Sequence, residues 1–96
     1  MPNNWSREFG ALIHSQRKQK RLPLRKVAAA LDIDTSTLSK IEKGERPANS
    51  KMIPVIAKLF GLDFKEMQIQ YLSKTLNDEF GREPFFEEAI QMINRK

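Results

Sequence analysis

The stretch LRKVAAALDIDTSTLSKIEKG, running from Leu24 to Gly44, decides how this chain folds. Its apolar residues Val27, Ala28, Leu31, Ile33, Leu38 and Ile41 fall on the inward faces of two short helices that meet at a tight corner. Ala28 is small where the two helices would cross most closely. Asp32 stands where the first helix must stop, at a position that asks for left-handed backbone, and Asp is one of the few non-glycine types that tolerates it. Asp34 is placed to cap the second helix by accepting hydrogen bonds from its free amides. That helix presents Thr35, Ser36, Ser39 and Lys40 outward, short polar or cationic groups suited to base edges and phosphates.

Length and charge bound the possibilities. Ninety-six residues make one small domain with one modest core, and an apolar content of 40% is enough to fold it. Lysine and arginine number 17 against 12 acids, a net charge of +5 that prefers anionic partners. The excess is not spread evenly. Residues 1–50 hold ten cations and five acids, whereas residues 51–96 hold seven of each. Arg17 to Lys26 contains six cations and no acid; alone this run reads equally as a solvated helix end or an anion-binding one, and beside the two-helix corner the second is favoured. The absence of cysteine excludes disulfides, thiolate metal sites and a cysteine nucleophile, and fits a reducing compartment. No apolar run approaches a signal peptide or membrane span, so the expectation is a soluble, cytoplasmic protein with no membrane partner.

The rest of the chain reads as further helices. Asn3 or Asn4 caps a first helix to about Lys20, with Trp5, Phe9, Leu12 and Ile13 at helical spacing. Gly10 inside it costs about 1 kcal/mol of helix propensity, which implies that another element packs close there. His14 has no second histidine or cysteine with which to hold a metal and reads as a surface helix residue. Leu22 and Pro23 break the helix and lead into the next. Asn49 or Ser50 caps a fourth helix through Phe60, whose core stripe is Met52, Ile53, Ile56, Ala57, Leu59 and Phe60; Pro54 is harmless in the first turn, but one turn further it removes a backbone bond and bends the helix. Asp63 and Glu66 have capping-box spacing for a fifth helix to about Phe80, with Gly81 closing it. Glu83-Pro84 starts a sixth, with Phe85, Phe86, Ala89, Ile90 and Ile93 as an apolar stripe.

The segment AAALDIDTSTLSKIEKGERP, residues 28–47, resembles the helix-turn-helix of the phage repressor and Cro (Xre-type) family of DNA-binding regulators. The matching features are Val27-Ala28, Leu31, Ile33, the Ser/Thr-rich start of the second helix, and the close at Ile41, Glu42 and Gly44. The resemblance covers roughly residues 5–70. Two positions depart from it: family members commonly carry glycine where Asp32 stands, and often a backbone-touching glutamine where Leu24 stands. What the resemblance implies is an all-α fold, a five-helix repressor-like DNA-binding domain over residues 1–70 with the helix-turn-helix at 24–44. To this the chain adds a C-terminal helix in a 71–96 extension, read as a dimerisation element. By itself Arg17 reads also as a phosphate contact, but the resemblance implies that it pairs with Glu42, tying the first helix to the end of the DNA-reading helix, and that the loop Glu45-Arg46-Pro47 lies along the sugar-phosphate backbone.

In the motif's docking geometry the second helix enters the major groove with its first residues toward the bases. Thr35, Ser36, Ser39 and Lys40 are then the base-contact residues, with Lys40 able to reach guanine O6 and N7. Arg25, Lys26, Thr37, Lys43 and Arg46 are expected on phosphates, which set register without carrying sequence information. One such domain meets too few base pairs for useful specificity, so a homodimer on a two-fold related operator is expected, with half-sites about 34 Å apart or a multiple of one turn. Leu72, Leu76, Phe80, Phe85, Phe86, Ile90 and Ile93 form the candidate dimer surface; the competing expectation is that the sixth helix folds back onto its own fifth. The function expected is a transcriptional repressor; the wording of residues 22–46 resembles controllers of restriction-modification genes. The alternative is an antitoxin, whose apolar tail neutralises a toxin partner. An enzyme is disfavoured, because the chain has no histidine constellation and no glycine-rich phosphate loop. No cofactor or metal is expected.

Overall fold

The computed structural model describes residues 4–95 and forms six helices among them. They are α1 (Asn4–Gln19), α2 (Leu24–Ala30), α3 (Thr35–Glu42), α4 (Met52–Phe60), α5 (Phe64–Phe80) and α6 (Phe86–Asn94). The cap expected at Asn3 or Asn4 lies outside the described residues and side chains. The core is built where α1 to α4 meet. Ile13, Val27, Leu38, Ile41, Ile53 and Ile56 are its most deeply buried side chains, and Phe9, Ala28, Leu31, Met52 and Phe60 complete it. Burial of these apolar side chains is the main force holding the small domain together. Met67 and Tyr71 on the inner side of α5 pack on this core, while Trp5 and Phe9 of α1 stack tilted with ring centroids 5.4 Å apart.

The α2–α3 corner forms as its residues predict. α2 ends at Leu31, and Asp32 takes the left-handed conformation with φ 57°. The amide of Ile33 then bonds the Ala28 carbonyl at 3.0 Å and that of Asp32 the Ala29 carbonyl at 3.1 Å, so both amides of the turn are paired. Gly10 is packed against the end of α3. A methyl group there would collide with the Ile41 carbonyl oxygen and lie 2.8 Å from that of Glu42. Glycine is therefore what lets α1 cross α3 at backbone contact.

Caps and breakers locate the other ends. Pro54 is the third residue of α4, in the first turn, where its missing amide costs nothing. Asn49 serves that helix across the intervening turn: its side-chain oxygen accepts from the Met52 amide at 3.2 Å. Asp63 caps α5 by accepting from the Glu66 amide at 3.2 Å.

The start of the sixth helix needs correction. It begins at Phe86, not at Glu83-Pro84, because Phe85 adopts a left-handed conformation (φ 65°) that no helix interior accommodates. Pro84 thus lies in the connecting turn. Among the described residues α6 has no buried residue and shares no extensive interface with another helix, while α5 runs unbroken from the core out to it. Among the described residues, no helix is long and apolar enough to cross a membrane.

Candidate nucleic-acid interface

α3 is held at both ends by side chains from outside its own hydrogen-bond ladder. At its start the Asp34 carboxylate accepts from the Thr37 amide at 2.7 Å and from the Ser36 hydroxyl at 3.0 Å. Hydrogen bonds from Thr37 first and Ser36 next hold the Asp34 carboxyl below its ordinary range, and the charge of Arg46 adds to them. Arg46, in the loop after α3, thus stands within electrostatic reach of the helix's first turn.

At the other end Glu42 turns inward, with only 6% of its side chain exposed. Arg17 grips it with two parallel bonds, Nε to Oε2 at 2.7 Å and Nη2 to Oε1 at 3.0 Å, and its Nη1 donates to the Leu22 carbonyl at 3.2 Å. This bidentate fork joins α1, the α1–α2 turn and the end of α3 in one polar knot. Burial pushes the Glu42 carboxyl up, but hydrogen bonds from Arg17 and His14, with their charges, outweigh it and leave the group below its ordinary range. His14 is where sequence reading fell short. It is exposed, as a surface residue should be, yet its Nδ1 lies 2.8 Å from Glu42 Oε1. Its partner is 28 positions away, and no local signal announces such a contact.

Between these two anchors α3 turns a polar face to solvent. Thr35, Ser36, Lys40 and Lys43 are exposed, and Thr37 and Ser39 are half-buried beside them. Ser36, Lys40 and Lys43 are spaced four and three residues apart, so they form one stripe. Ser36 already donates its hydroxyl proton to Asp34, which leaves its lone pairs to accept from a base. Arg25 and Lys26 stand exposed in the first turn of α2, which packs directly on α3, and Arg46 is exposed beyond Gly44. Leu24 instead lies half-buried against the core.

A second exposed face belongs to α5 and α6. Leu72, Leu76 and Phe80 are about half exposed, Phe85 and Ile93 more so, and Phe86 and Ile90 are half-buried. Ile69 and Met92 extend the same apolar character, at 55% and 72% exposure, and were not among the residues singled out from the sequence. Among the described residues, no group of three or more histidines, cysteines or acids could hold a metal ion.

The Helix-turn-helix family model matches residues 13–67, more than half of the chain. The crystal structures similar to this fold include two of the clp gene regulator ClgR from Corynebacterium glutamicum. One is 23% identical with a TM-score of 0.57, covering 72% of this chain and 90% of that one. The other is 20% identical with a TM-score of 0.61, covering 83% and 98%. Both likenesses are of fold. No curated protein matches the sequence. With the two-helix corner, the capped α3 and the family match in agreement, the chain belongs to the Xre-type helix-turn-helix family of DNA-binding transcriptional regulators.

Proposed function

We propose that this protein is a homodimeric repressor that reads a two-fold related duplex operator through α3. The observation that carries the reading is the exposed stripe Ser36, Lys40 and Lys43 on a helix pinned at one end by Asp34 and at the other by Arg17 and Glu42. A rigid polar ridge enters a groove without losing further conformational freedom. Thr35, Ser36, Ser39 and Lys40 read base edges, whereas Arg25, Lys26, Thr37, Lys43 and Arg46 hold phosphates. The dimer forms through the apolar face of the 71–96 extension, and occupancy of a promoter blocks transcription. Restriction-modification genes are the setting that the wording of residues 22–46 favours.

The test is selection of bound duplexes from a random pool, followed by binding of variants to the winner. Lys40→Ala is expected to relax preference at one position per half-site, at about 1–3 kcal/mol. Lys43→Ala is expected to weaken binding to every sequence alike and to flatten the salt dependence by about one unit of slope. Wild-type behaviour of both variants would refute the docking. A second reading rests on the same uncovered α5–α6 face: an antitoxin using it to bind a toxin. A monomer in sedimentation, free and on operator, would favour that reading over the homodimer.

A further inference from the structure

Gly44 closes α3 with φ 76°, and the space a side chain would occupy there is already filled. A Cβ on Gly44 would stand 2.7 Å from Arg7 Cγ, 2.8 Å from Arg7 Cα and 3.2 Å from Arg7 Cβ. The stem of Arg7 on α1 therefore packs directly on the turn that links the end of α3 to the loop carrying Arg46. Its guanidinium begins only two bonds beyond that contact, and the residue is exposed. Among the described residues Arg7 joins no ion pair: its neighbour Glu8 pairs with Lys74 at 3.4 Å, and Glu42 is taken by Arg17 and His14. Glu45, the acid nearest along the loop, lines the cleft beside Trp5, Asp78 and Glu79.

We infer that Arg7 is a further phosphate anchor, which extends the backbone contacts of Lys43 and Arg46 onto α1. This rests on the reading of α3 as the groove-binding helix. Arg7 then adds a third cation to the two that follow α3 in the chain: Lys43 caps its end, Arg46 lies in the next loop, and the stem of Arg7 packs on Gly44 between them. An unpaired guanidinium whose stem is fixed by packing loses little freedom on meeting a phosphate and offers it a bidentate fork. The same geometry explains the glycine: any side chain at 44 would lift Arg7 off the turn.

The competing role for Arg7 is purely structural, a cation near the negative end of α3. Duplex binding across a salt series, paired with thermal melting, separates the two. Arg7→Gln is expected to melt near the wild type, bind all sequences about five-fold more weakly at 0.15 M salt, and lose about 0.9 of salt slope. Arg7→Lys keeps the charge and is expected to retain the slope. Lys65→Gln, which removes the same charge from α5, is the control. An unchanged slope with a lowered melting temperature would assign Arg7 to structure alone and overturn the inference, as would equal slope losses for Arg7→Gln and Lys65→Gln. If the wild type itself showed no salt-dependent duplex binding, the groove-binding reading would fail first and the anchor with it.

Discussion

Arg17 and Glu42 show how much one buried polar contact decides in a chain this small. A salt bridge out of water adds little net stability over an apolar pair of the same shape, but removing one partner strands the other. Arg17→Ala is therefore expected to cost about 3 kcal/mol in chemical denaturation, with His14 left as a poorer partner for Glu42. The same carboxylate gives stability a pH dependence of known sign. Its folded-state pKa lies below the ordinary 4.5, so its contribution is complete above that value and fades as pH falls through the folded one. Melting temperatures recorded below pH 4.5 should fall less steeply for Glu42→Gln than for the wild type. Gly10 supplies a steric counterpart: Gly10→Ala forces a methyl into the Ile41 and Glu42 carbonyls and should destabilise by about 1–3 kcal/mol despite its better helix propensity.

At the scale of elements, what could be read from the sequence was whatever local chemistry determines. Asp32 in left-handed backbone and Asp34 and Asp63 as caps all follow from what one residue type can do near a helix end, whereas Pro54 alone left the start of α4 open between two turns. The misplaced start of α6 has the opposite cause. A left-handed Phe85 runs against its own intrinsic preference, as does Arg21 with φ 54°, and the sequence around them carries no mark of it. The His14–Glu42 contact was equally illegible, since it depends on how α1 crosses α3 rather than on either residue's neighbours. Caps also separate stability from function. Asp34→Ala should lower both the melting temperature and duplex affinity, because the first turn of α3 carries Thr35 and Ser36. Asp63→Ala loosens α5 in the same way and should lower the melting temperature while leaving affinity unchanged.

Across the whole molecule, the cationic excess and the uncovered apolar surface lie at opposite ends of the sequence. All of the net positive charge comes from residues 1–50, while Leu72, Leu76, Phe80, Phe85 and Ile93 lie exposed beyond the core. A nine-residue helix such as α6, with no buried residue, is marginal in water by itself. In the dimer proposed above, a second copy covers Phe86, Ile90 and Ile93 and supplies the missing burial. Ile90→Glu should accordingly shift sedimentation toward the monomer and reduce operator affinity without changing base preference. The central claim, that the outer face of α3 enters duplex DNA, has a more direct test. The chain contains no cysteine, so Ser36→Cys and Ser73→Cys each carry a single thiol, on α3 and on α5. Alkylation rates measured with and without the selected duplex should fall sharply for Ser36→Cys and stay constant for Ser73→Cys; a thiol at position 36 that reacts equally fast on and off the DNA would contradict the account.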